Sequence, residues 1–260
     1  MIHVAIVNAS SVLRDTDLEA ALGGLQRQLT DDFAAAWGVD AHLSFVAKGA
    51  KPPTDQWWLA VLDDSDQQGA LGYHDLTTDG LPIGKVFAGT DLKYGKQWTV
   101  TASHELLEML ADPDIDLAAF VEQKSSVARL YAYEVCDPVE ADELGYDVDG
   151  VRVSSFVYPA WFQSFRMRGS TRFDHGGRLS EPFELAPGGY CSVYEVGGGS
   201  WRQVTRDGDP PRFGHRPRPG SRRERRRTSR SEWLRSTVAT GPAEPCARCT
   251  PLAVGAVAHV

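Results

Sequence analysis

A long helical stripe set between short apolar runs limits this chain more than any other feature. Ile2-His-Val-Ala-Ile-Val7 is rich in β-branched residues and stops at Asn8-Ala-Ser-Ser, the pattern of a buried strand. Leu18, Leu22, Leu25, Leu29, Phe33 and Trp37 then fall on one face of a helix, opened by a Thr16-Asp-Leu-Glu19 capping box and closed by Gly38. The Gly23-Gly24 pair inside it costs roughly 1 kcal/mol per glycine relative to alanine, which burial of the stripe must offset. Ala41–Val46 alternates like a half-exposed strand, and Trp57-Trp-Leu-Ala-Val-Leu62 is a second continuous apolar run. Strand, helix, strand, strand demands a layered α+β core, which a chain of 260 residues with 42 % hydrophobic residues is long enough to bury.

The next segments add an edge and a second helix. Leu71-Gly-Tyr-His74 and Lys85-Val-Phe-Ala88 flank the turn-forming Thr78-Asp-Gly-Leu-Pro82, which suits an edge strand or hairpin. Thr101-Ala-Ser-His-Glu-Leu-Leu-Glu-Met-Leu110 follows, a helix of about 96–112 stopped by Asp112-Pro113. Its apolar face is Trp98, Ala102, Leu106, Met109 and Leu110; His104 and Glu108, four apart, project together from another face with Glu105 beside them.

That spacing is a metal site's. In H-E-x-x-H helices the two His bind zinc and the Glu is the general base. Here the second His is Glu108, giving H-E-x-x-E; a carboxylate oxygen also ligates zinc, and a second anion favours harder ions such as Mn²⁺ or Fe²⁺. Helices with this pattern also arise by chance as solvated surface. The apolar flanks Ala102 and Leu106-Leu107 argue for a buried one.

Downstream, Leu130-Tyr-Ala-Tyr-Glu-Val-Cys136 alternates as a strand and runs into Asp137-Pro-Val-Glu140, placing three carboxylates and a thiol together. Any of Glu134, Asp137 or Glu140 would complete a three-ligand site with an open position; Glu134 is the first choice and Asp137 the second. Without a metal, the same stretch reads as an acidic loop with Asp137 capping a turn. Tyr146, Tyr158, Trp161 and His175 are aromatic or titratable residues of a kind that mostly pack. Among them Tyr146, in the loop after the acidic cluster, is the candidate oxyanion-stabilising phenol.

The order strand, long helix, strands with an edge piece, then a helix bearing His-Glu resembles the zincin-like metallopeptidases over roughly residues 1–140. The resemblance implies a mixed twisted sheet and makes His104 and Glu108 metal ligands, with a third ligand from beyond the helix. It makes Glu105 the base and the Tyr73-His74 region the edge that receives an extended peptide or protein substrate. The cofactor it implies is a divalent metal, zinc first, with manganese or iron as alternatives. A metal-dependent peptide or amide hydrolase is the leading expectation. The competing one is an inactive zincin-like domain serving as a metal-stabilised binding or structural module.

The remainder bounds the other classes. Val151–Val157 and short pieces across 180–206 predict a smaller β-rich part over 141–209 that completes the same domain. The formal net charge of -8 hides an asymmetry, because residues 211–235 carry ten Arg against two Glu. The body is acidic, which argues against nucleic acid as the main ligand, while the basic tail could touch phosphates. Residues 210–260 read as an Arg/Pro-rich disordered tail containing a lone Cys246-x-x-Cys249. No phosphate-binding loop, no serine-hydrolase elbow and no apolar run of about 20 residues occurs, which excludes nucleotide chemistry and a membrane span. With four scattered cysteines and no secretory leader pattern, the expected setting is cytoplasmic.

Overall fold

The computed structural model describes residues 1–67, 70–122, 127–198 and 201–206; the tail expected over 210–260, with Cys246 and Cys249, lies outside the described residues. The first apolar runs form one five-stranded sheet: β1 (Ile2–Asn8), β2 (Ala41–Val46), β3 (Trp57–Leu62), β4 (Gly72–Leu76) and β5 (Pro82–Phe87), in the order β2-β1-β3-β5-β4. β2, β1, β3 and β5 are parallel to one another, and β4 returns antiparallel along β5 as the outer strand. The continuous apolar character of β1 and β3 follows from burial on both faces. Val4, Ile6, Leu59 and Val61 face the main core, while Ala5, Val7, Trp58 and Leu62 face a smaller cluster with Tyr73, Ile83 and Phe87.

The long stripe is helical throughout 15–37 but is not one α-helix. It runs as α1 (Asp15–Arg27), a π-helical stretch (Gln28–Phe33) and α2 (Ala34–Trp37), ending at Gly38 with φ 71°. Fully buried Gln28 opens the π stretch. Its amide donates to Ser154 O at 2.8 Å and accepts from Ser103 Oγ at 2.6 Å. A polar side chain on the apolar face thus finds partners where the helix widens, as π-bulges commonly allow. The capping box also differs from expectation. The helix starts at Asp15, with Asp17 Oδ2 accepting the Arg14 N–H at 2.8 Å, while Asp15 accepts from Asn8 Nδ2 and the Lys48 N–H.

α3 (Ala88–Lys93) leads into α4 (Trp98–Ala111), which lies on the same side of the sheet as α1, across β5 and β4. Beyond it, β6 (Ala118–Val121), β7 (Arg129–Ala132), β10 (Tyr190–Glu195) and β11 (Trp201–Thr205) form a second, antiparallel sheet in the order β11-β10-β7-β6. Between them, β8 (Tyr146–Val148) and β9 (Val151–Val153) make a hairpin. The second sheet therefore joins strands from either side of residue 140, and one continuous apolar cluster runs from Val4 through Leu106 to Val193.

Two expected strands are shorter than their sequence patterns. β7 ends at Ala132, since the N–H groups of Cys136 and Asp137 turn inward to the Glu108 carboxylate. β9 ends at Val153, since Ser154 is held by Ser103 and Gln28 instead of a neighbouring strand. Among the described residues no helix is long and apolar enough to cross a membrane.

Candidate metal centre

α4 buries nearly its whole circumference. Ala102, Leu106 and Leu107 are inaccessible, and His104, Glu105 and Glu108 are buried too, at 8 %, 6 % and 3 % exposure. The polar face is therefore not a solvated surface. It closes one side of a cleft of about 130 Å³ lined also by His74 of β4, Glu134, Asp137 and Tyr190 of β10.

β4 can approach α4 because Gly72 leaves the contact bare. A Cβ on Gly72 would lie 2.7 Å from Glu105 Oε1 and 2.8 Å from Thr101 Cγ2. One on Gly84, paired with His74 across the ladder, would meet Leu59 at 2.6 Å and Glu105 Cβ at 3.6 Å. Strand alternation then sends His74 toward the helix and Tyr73 to the opposite face.

The side chains meet around Glu108. His104 Nε2 lies 3.2 Å from Glu108 Oε2 and 3.2 Å from Asp137 Oδ1. His74 Nδ1 lies 3.3 Å from Glu105 Oε2 and 3.6 Å from Glu108 Oε2, and its Nε2 is 3.5 Å from Glu134 Oε2. The other Glu108 oxygen, Oε1, accepts the N–H groups of Cys136 at 3.0 Å and Asp137 at 3.3 Å. Backbone thus fixes one oxygen and leaves the second to the imidazoles.

Among the described lining residues there is no Lys or Arg to balance these acids. The consequence is seen in proton affinities. Burial raises Glu108, with the charge of Glu134 adding to it against the pull of His104. Burial and the Glu108 charge push Asp137 up to about 8. Burial works against protonation of His74, but Glu134, Glu105 and Glu108 override it and push the imidazole up to about 10. His104, likewise opposed by burial, is held well above its usual value by Glu108 and Asp137. The two imidazoles thus balance the acids by holding protons, and a metal binding here would have to displace them.

Two sets of side chains could hold a divalent cation. Two groups have donor atoms within 4.8 Å of one another: His104, Glu108 and Cys136, and His74, Glu108 and Glu134. His74 Nε2 is buried and makes no hydrogen bond. The cleft brings together His104, Glu105, Glu108, Glu134 and Asp137, all anticipated from sequence, with Glu134 and Asp137 on opposite imidazoles. Glu140 does not line it.

Tyr146 is elsewhere. Its hydroxyl donates to Asp32 Oδ2 at 2.8 Å and its ring stacks on His175, because the β8–β9 hairpin packs it against the helical run 15–37. The phenol at the cleft is Tyr190, which burial and the charges of Asp137, Glu140 and Glu108 keep protonated. Neither His74 as a ligand nor Tyr190 was anticipated. For His74 the signal was the Gly-Tyr-His alternation in an edge segment; for Tyr190, more than fifty residues from Asp137, no local signal exists. No family model matches the chain, and neither a curated protein nor a solved structure does.

Proposed function

We propose that the protein is a divalent-metal-dependent hydrolase of peptide or amide bonds, built on a zincin-like arrangement. The observation that carries this reading is one buried helix presenting His104, Glu105 and Glu108 to a cleft beside an antiparallel edge strand, with further acids arriving from the segment after β7. His104 and Glu108 would hold the ion, with Asp137 or Glu134 as further ligands. A bound divalent cation supplies Lewis acidity toward a carbonyl and acidifies water.

The chain's own groups supply the rest. Glu105 takes a proton on its carboxylate and returns it to the leaving amine. Its Oε2 also accepts from His74 Nδ1, which orients both side chains. Tyr190, kept protonated, donates its O–H to the carbonyl oxygen as charge develops there. β4 pairs only with β5 among the described strands, so its outer edge is available to an extended peptide by strand addition.

The test is metal analysis of the purified protein combined with Glu105→Gln. The expected result is a co-purifying divalent metal, retained by the variant, with turnover of a peptide library falling about 10²–10⁴-fold. Metal binding without cleavage of any peptide by the wild type would favour the alternative, a metal-stabilised binding module. Absence of metal, with His104→Ala leaving the melting temperature unchanged in Zn²⁺ or Mn²⁺, overturns both.

A further inference from the structure

The cleft contains more ligand than one ion can use. Two donors on one cation, each at about 2.1 Å, are no more than about 4.2 Å apart. The donors here divide into a His104 group and a His74 group, and Glu108 is the one residue common to both. Its Oε2 lies between the imidazoles, 3.2 Å from His104 Nε2 and 3.6 Å from His74 Nδ1.

His74 makes the second group more than a collection of acids. Its side chain is 7 % exposed and its Nδ1 is turned to Glu105 Oε2, the position of an N–H donor. Its Nε2 is buried and without a hydrogen bond, facing the Glu134 carboxylate at 3.5 Å, where a metal ion would take the place of the Nε2 proton. An imidazole nitrogen and a carboxylate held face to face in a buried cleft share a positive centre, a proton or a metal ion in its place. The Glu105–His74 pair is also the arrangement in which a carboxylate sets the tautomer and orientation of a metal-ligating imidazole.

Charge points the same way. Glu105, Glu108, Glu134 and Asp137 carry four formal negative charges in one cleft without a lining Lys or Arg among the described residues. With both imidazoles neutral, as metal ligands are, one divalent cation offsets half of that and two offset all of it.

We propose that the cleft holds two adjacent divalent cations bridged by the Glu108 carboxylate, one on His104 with Asp137 or Cys136, the other on His74 Nε2 with Glu134. This rests on the reading of the cleft as a metal centre and adds a second ion to it. The Glu108, Glu134 and Asp137 carboxylates with two imidazoles form an oxygen-rich donor set that suits Mn²⁺ or Fe²⁺ better than an all-nitrogen or thiolate site would. Paired metals of this kind sit about 3.5–4 Å apart and can clamp two substrate oxygens at once.

The test is metal stoichiometry of the full chain equilibrated with Mn²⁺ and then dialysed, read by elemental analysis and by electron paramagnetic resonance. Two ions per chain with a spin-coupled signal are expected. His74→Ala and, as a second variant in case that one fails to fold, Glu134→Gln should each reduce the content to one ion and convert the spectrum to that of isolated Mn²⁺. Glu108→Gln should abolish the coupling. One ion in the wild type, unchanged in His74→Ala or Glu134→Gln, overturns the second site and leaves the single-metal hydrolase standing. No ion in the wild type overturns both.

Discussion

Asp91 is a buried carboxyl that the proposed chemistry does not use, and it makes the folded state sensitive to pH. It sits on α3 with Oδ1 accepting from Thr101 at 2.9 Å, while Oδ2 is buried without a hydrogen bond. Burial, reinforced by Asp142 and Glu105, pushes it up to about 8 from its ordinary 3.8. Between those values the folded chain holds a proton that the unfolded chain has released, so this group's contribution to stability falls as pH rises from about 4 to about 8. Asp91→Asn keeps the acceptor for Thr101 and removes the titration. In urea unfolding, the variant should therefore gain on the wild type as pH rises from 5 to 8, by up to about 1.4 kcal/mol per pH unit. At this scale the sequence was most informative where chemistry is local: His104, Glu105 and Glu108 share one helix, and helical geometry alone sets their relation. The function expected of Tyr146 rested on proximity along the chain to the acidic cluster. A hairpin turn sends its ring to His175 instead.

Between elements, the spacing is set by where side chains are missing. A Cβ on Gly24 would lie 2.7 Å from Val148 O and 2.6 Å from Val151 Cβ, so α1 touches the β8–β9 hairpin through bare backbone. The adjacent Gly23 has nothing within 4 Å of such a Cβ. Gly23→Ala should therefore stabilise the protein by about 0.4–1 kcal/mol, and Gly24→Ala should destabilise it by about 1–3 kcal/mol, in paired denaturant titrations. In sequence the two glycines are equivalent helix penalties; only tertiary contact separates them. The same limit applies to His74. Alternation in β4 could be read from Leu71–His74, but the approach of that strand to α4 depends on Gly72. β1 and β3 were readable because their apolar runs are continuous, and β2 because it alternates; the early ends of β7 and β9 were not, because distant side chains capture their backbone.

For the whole molecule, a metal in the cleft would tie α4, β4 and the segment after β7 into one unit. Chelation should then lower the melting temperature. Binding at a hundredfold excess over the dissociation constant is worth about 2.7 kcal/mol, and at about 2–4 °C per kcal/mol for a domain of this size the shift is about 5–10 °C. Calorimetry with and without chelator checks it, and His104→Ala should show no such shift. The layered α+β character was legible from the alternation of strands and helix; the pairing of β6 and β7 with β10 and β11 was not, because nothing local in 118–132 marks partners at 190–205. That pairing has a consequence for the order in which the protein is made. Tyr190 and its strand leave the ribosome about 3–10 s after Asp137, at about 5–20 residues per second. Until then β7 has β6 but not β10 beside it, and the cleft lacks the wall that carries Tyr190. Closure of the cleft is thereby tied to completion of residues 190–205.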